Sequence, residues 1–313
     1  MAARGALFGL LGFFALAGCD FFVPERLEPV PAPAPAPDPP SRSADSLALE
    51  RFYTRVESSL VSQGLLRTDG GGPDTPWGAE DLSRNFIRIA TFEEFDTRGA
   101  VLVQRQTESR IHRWERPVRL KLEFGATVSP VKQLEDTDAV RRLTRRLATA
   151  TGHPIRVVDE APNFTVLVVN EDERRNLGPR LREIVPGIAE SAVDAVVSLP
   201  RTTYCLVLTL APANDGIYTQ AIAVIRGEHP DLLRLACIHE EITQGLGLSN
   251  DSPLARPSIF NDDEEFALLT DQDEAMLAIL YDDRLKPNMT GGVAEPIVAE
   301  IARELTGEGP SAF

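Results

Sequence analysis

Between positions 29 and 40 the chain reads Pro29-Val30-Pro31-Ala32-Pro33-Ala34-Pro35-Ala36-Pro37-Asp38-Pro39-Pro40. Proline lacks an amide proton and its ring fixes φ, so this run can neither continue a helix nor join a strand ladder. It predicts a polyproline II stalk that rises about 3.1 Å per residue. The alternative use of such a run is as a docking tract for a proline-recognition module. Either way it divides the chain. Of 313 residues, those beyond the stalk suffice for one large domain with a small N-terminal extension.

Ahead of the stalk, Arg4 is the only charge before an apolar run from Ala6 to Ala17. That is the layout of a secretion signal, too short to span a bilayer as a mature helix. The run ends in Leu16-Ala17-Gly18-Cys19, which resembles a bacterial lipobox. The resemblance implies cleavage after residue 18 and acylation of Cys19, by palmitate or similar chains, through its thiol. An ordinary signal peptide with an incidental cysteine is the plainer alternative. Several acyl chains would hold the protein to the bilayer, since each buried CH₂ contributes about 0.8 kcal/mol. The expected address is the cell envelope, facing the periplasm. Asp20 bears on inner against outer membrane and leaves that choice open.

The formal net charge is −15, which argues against nucleic acid and against electrostatic adhesion to anionic lipid. With Cys19 assigned to lipid, Cys205 and Cys237 remain. In an oxidising compartment such a pair predicts a disulfide; two separate buried thiols are the alternative.

The expected organisation is a signal over 1–18, a lipidated stalk over 19–45, a helical extension over 46–116 and one domain over 117–306. Within that domain, Val118 to Phe124 alternates as a strand should, and Asp136 to Thr151 reads as a basic amphipathic helix. Ile155–Val158, Phe164–Val169, Thr203–Leu210 and Tyr218–Ile225 are further strands. The last two flank the turn signal Asn214-Asp215-Gly216. Asn170 to Val185 reads as a helical insertion and Asn85 to Phe95 is ambiguous in period. Helices over about 231–246, from Thr270 and over about 293–305 complete an α+β fold: a mixed sheet packed with two main helices plus C-terminal helices.

The helix at 231–246 carries the chemistry. Leu235, Ile238, Ile242 and Leu246 form one apolar stripe; Cys237, Glu240, Glu241 and Gln244 form its neighbour. The element order resembles metzincin zinc proteases, and Glu240-Glu241-x-x-Gln244-x-x-Gly247-x-x-Asn250 resembles their H-E-x-x-H-x-x-G-x-x-H motif. The resemblance puts Glu240, Gln244 and Asn250 in the metal-ligand positions and Glu241 on the general base. Gly247 falls on the turn glycine, and Ser258-Ile259-Phe260-Asn261 resembles the Met-turn. Two amides and one carboxylate are a poor zinc set, so no zinc is expected. Oxygen donors at Glu240, Glu241, Gln244, Asn250 and Asp251, with Asp262-Asp263-Glu264-Glu265 near in sequence, leave Ca²⁺ or Mg²⁺ open. The acidic run can equally be a solvated loop. His239 is a zinc candidate in a shifted register or a structural histidine.

A wider resemblance is to the proteobacterial DUF2927 family, some of whose members are described as lipoproteins. It rests on Glu240 to Ser252, on Pro257 to Asp262, and on Leu280-Tyr281-Asp282-x-Arg284-Leu285-x-Pro287-x-Met289-Thr290. The expected function is a membrane-tethered, non-catalytic metzincin-like module that binds a peptide or envelope protein by strand addition. The alternatives are a hydrolase using an oxygen-ligand metal or a Glu240/Glu241 acid–base pair, and a purely structural envelope protein.

Overall fold

The structure is a computed structural model that describes residues 41–96 and 103–308. The segment expected to be a secretion signal, Cys19 and the proline run lie outside the described residues. Elements are numbered in chain order.

Alternation decides which strands are covered on one face and which on two. β3 (Val118–Phe124) buries Val118 and Leu120 and leaves Arg119 and Lys121 partly exposed on its other face. β5 (Phe164–Val169) is buried at every position, as a central strand covered on both sides must be. With β4 (Ile155–Val157), β6 (Cys205–Leu210) and β7 (Gln220–Arg226) they form one five-stranded sheet of order β4-β3-β5-β7-β6. Neighbouring strands are parallel except β6, which runs antiparallel to β7 at the sheet's edge. Asn214 and Gly216, in the β6–β7 connection, take positive φ values of 51° and 76°. The turn signal legible in the sequence required such values.

One face of the sheet carries the main core. Val140, Leu143 and Leu147 of α3 (Pro130–Thr151) and Ile238 and Ile242 of α7 (Asp231–Gln244) meet Phe164, Val166, Ala223 and Ile225 there. Leu277 of α8 (Asp271–Leu280) and Ile301 of α9 (Gly291–Thr306) extend the same core. Each such side chain, fully buried, contributes about 1.5–3 kcal/mol. The other face is covered only over β5, β7 and β6, by Leu181 of α5 (Gly178–Ile184) and Val193 and Val196 of α6 (Glu190–Val197). The outcome is an α+β fold on a mixed sheet.

Three expectations change. The 46–116 segment is not purely helical. It holds α1 (Ala44–Ser62), α2 (Ala79–Ala90) and an antiparallel pair, β1 (Phe92–Asp96) with β2 (Val103–Glu108). The ambiguous 85–95 stretch is the end of α2 followed by β1. Leu82, Phe86 and Ile89 of α2 are wholly buried in the main core. The insertion after β5 is three short helices, α4 (Glu171–Arg174), α5 and α6, reaching Val197 because Pro179 and Pro186-Gly187 interrupt any longer one. Finally, α3 starts at Pro130, not Asp136: Pro130 occupies its first turn and the Ser129 side chain accepts from Lys132 N. Among the described residues, no helix is long and apolar enough to cross a membrane.

Candidate functional site

α7 is fastened at both ends, so its side chains are held in place. At its start, Leu233 N donates to Glu57 Oε2 of α1 (2.8 Å), capping a backbone donor the helix itself cannot satisfy. Arg234, buried, pairs with Asp136 of α3 at 2.8 Å. At its end, Trp114 Nε1 donates to Gly245 O (2.8 Å) and Tyr281 Oη donates to Leu246 O (2.9 Å). Gly247 has φ +125°, and a Cβ there would lie 2.1 Å from His112 O. Only glycine fits this turn.

Cys205 of β6 and Cys237 of α7 are joined by a disulfide. The bridge ties the edge strand to the helix that faces it. Glu240 Oε2 lies 3.9 Å from Cys205 Sγ.

Beside this staple is a cleft of about 320 Å³. One wall is Thr202 to Val207, leading into and along β6. The floor is Glu240, Glu241 and Gln244 of α7, and the far side is Asp251, Ile259, Asn261, Asp262 and Glu264. The lining has five carboxylates and no lysine, arginine or histidine. Glu241 and Gln244 are buried and Glu240 is partly exposed. Gln244 Nε2 donates to Asp251 Oδ1 at 3.4 Å.

The third expected ligand position departs from this group. Asn250 is buried outside the cleft lining, and its Nδ2 donates to Arg88 O at the end of α2 (2.9 Å). The turn at Gly247 delivers the next residue, Asp251, to the cleft instead. His239 is also accounted for: buried, its Nδ1 accepts from Leu269 N (3.1 Å), and burial pushes its pKa down to about 3. It is a structural histidine fixing the approach to α8.

The 257–260 turn is anchored from α8. The Asp273 carboxylate, fully buried, accepts from Ser258 Oγ (2.6 Å), Ile259 N (3.1 Å) and Thr270 N (2.8 Å). Burial raises its pKa to about 6 against these hydrogen bonds. The acidic run that follows divides by role. Glu265 is taken by Arg67 and Arg256, whereas Asp262 and Glu264 line the cleft. Glu264 sits at φ 57°, which directs it away from the chain's regular path. Burial, then the neighbouring Asp262, raises its pKa to about 7. Among the described residues its carboxyl takes part in no hydrogen bond or ion pair. Sequence reasoning noted Glu264 only within an acidic run and Asn261 only within the Met-turn-like and family segments, and Tyr204 gave no signal.

These residues do not fit zinc. Glu240 and Gln244 are poor substitutes for imidazole, Asn250 is spent elsewhere, and the nearby sulfurs are oxidised. Among the described residues, the one convergent group of three possible ligands is Cys205, Cys237 and Glu240, two of them in the disulfide. A larger groove of about 530 Å³ lies between α2 and α9. Its arginines are interspersed with Glu80, Glu295 and Glu308, and no comparable set of one charge sign converges there.

Fold and cleft together define an α+β domain on a mixed sheet, with an acidic cleft at the sheet's antiparallel edge. The chain belongs to the DUF2927 family, described as "Protein of unknown function", whose sequence profile matches residues 79–300. Nothing among curated proteins and nothing among solved structures matches the chain.

Proposed function

We propose that this is a lipid-anchored protein of the bacterial envelope whose metzincin-like domain binds an extended peptide or a segment of an envelope protein without cleaving it. The observation that carries the reading is the position of β6. It is the terminal strand of the sheet, and the wall it forms faces a cleft floored by Glu240, Glu241 and Gln244. An edge strand beside a cleft is a template for strand addition, with main-chain hydrogen bonds giving affinity and side-chain pockets giving selectivity. The order β3, α3, β4, β5, then β6, β7 and α7 after the three short inserted helices, supports the metzincin-like reading. The donor set supports the non-catalytic one, because without zinc no bound water is acidified for Glu241 to activate.

The test is incubation of the purified protein with an unstructured polypeptide, with and without added zinc. The substrate is expected to stay intact. Chelator-sensitive cleavage that disappears in Glu241→Ala would overturn the reading. Anchoring is tested separately: labelling with a palmitate analogue is expected in cells and is lost in Cys19→Ser.

One observation favours a second reading, hydrolysis by carboxyl acid–base chemistry. Glu264, with a pKa near 7, shares a cleft with Glu240 and Glu241. A carboxyl that holds its proton near neutral pH is what general acid–base catalysis uses. Turnover of any ester or glycoside surviving in Glu240→Gln, Glu241→Gln and Glu264→Gln alike would dispose of it.

A further inference from the structure

The chemistry of the cleft narrows what would lie in it, given the strand-addition reading above, on which this inference rests. We infer that the bound segment is a cationic one: an extended peptide whose lysine or arginine side chain enters the cleft and pairs with Glu264 and the α7 carboxylates. Five carboxylates face this space and no basic side chain does. Glu264 is the member that most needs a partner. It is largely covered, Asp262 stands beside it, and no protein donor among the described residues reaches its carboxyl. A covered carboxylate without a partner either takes a proton or takes a cation. An ammonium or guanidinium carried on a peptide supplies that cation from the β6 side.

A divalent metal ion is the rival occupant, and the geometry favours the peptide. Among the described residues no three carboxylates converge as a metal cage would require; the convergent trio is the disulfide pair with Glu240. The cleft lining also includes the apolar residues Val207 and Ile259, which suit a peptide's neighbouring side chains.

Protons compete with the cationic side chain. The groups facing Glu264 are Asp262 from its own loop, Tyr204 ahead of β6, Glu240 and Glu241 from α7, and Asp251; Gln244 faces it without charge. With no basic group there to hold Glu264 ionised, binding releases a proton from it, and affinity rises with pH between 6 and 8.

The experiment uses the full chain in detergent and four alternating peptides of equal length, with threonine between arginine, lysine, glutamine or glutamate. A fifth carries arginine with alternate backbone nitrogens methylated. The arginine and lysine peptides are expected to bind more than about tenfold tighter than the glutamine one, and Glu264→Gln to remove most of that difference. Equal binding of arginine and glutamine peptides, unchanged in Glu264→Gln, overturns the cationic assignment while leaving strand addition standing. Undiminished binding of the methylated peptide overturns strand addition itself. Binding of none of the five overturns both. Calcium titrating at one equivalent, and displaced in Glu264→Gln, assigns the carboxylates to a metal instead.

Discussion

Glu264 departs from its sequence neighbours in one physical respect. Asp263 is exposed and Glu265 is claimed by two arginines, but Glu264 is carried into the cleft, where no basic side chain lines the space around it. Its folded pKa, about 7, lies above the ordinary value of 4.5. A raised carboxyl pKa means that the folded state binds the proton better than the unfolded one. Stability from this group is therefore full below pH 4.5 and is lost as pH rises through 7. Glu264→Gln should raise the melting temperature at pH 8, by on the order of 1–3 kcal/mol in stability, and change little at pH 5. A thermal scan at both pH values checks the sign, and destabilisation at pH 8 would contradict it. Glu171 shows the opposite case. Burial opposes its charge, but Arg174 and Arg226, each 2.8 Å away, hold its pKa below the usual value. Arg226 also donates to Leu199 O and Pro200 O, so this buried cluster fixes the approach to β6. Glu171→Ala removes the anion that two buried guanidinium groups share and leaves them only backbone carbonyls. It should cost about 3–5 kcal/mol in a denaturant titration.

Among the elements, β6 and α7 depend on each other. Their disulfide spans 32 positions, a loop for which chain-entropy arguments give about 3–4 kcal/mol. Cys205→Ser with Cys237→Ser should lower stability by about that amount and weaken peptide binding, because the cleft wall then loses its covalent tie to α7. Calorimetry and a binding isotherm on the same variant check both. How far these elements were legible depended on the range of the forces that set them. β3 and β5 were read to the residue because local alternation in one and an unbroken, Val-rich apolar run in the other specify a strand. The start of α3 was missed because its signal was the cap Ser129 with Pro130, ahead of the amphipathic pattern. The 85–95 stretch was ambiguous because α2 ends and β1 begins inside it. Glu240, Glu241 and Gln244 were readable from one helix face. Asp251 replacing Asn250, and Glu264 joining them, depend on loop paths that only tertiary packing determines. Gly247 is the exception: its place in the motif implied a turn, and the turn permits no side chain.

At the scale of the whole molecule, the parts converge on one edge. α1, outside the family-matched region, caps α7 through Glu57 and packs Tyr53 against the 200s loop, its Oη donating to Arg201 O. α8 pins the far lip through Asp273. The main core lies beneath α7, and among the described residues no further strand pairs with the outer edge of β6 beside it. The most direct test of that account is hydrogen exchange read by mass spectrometry, with the alternating arginine–threonine peptide present. The account predicts slowed exchange of the β6 amides, Cys205 to Leu210, with the peptide recovered at its full mass. Unchanged β6 exchange, or a cleaved peptide that stays whole with Glu241→Gln, would contradict it.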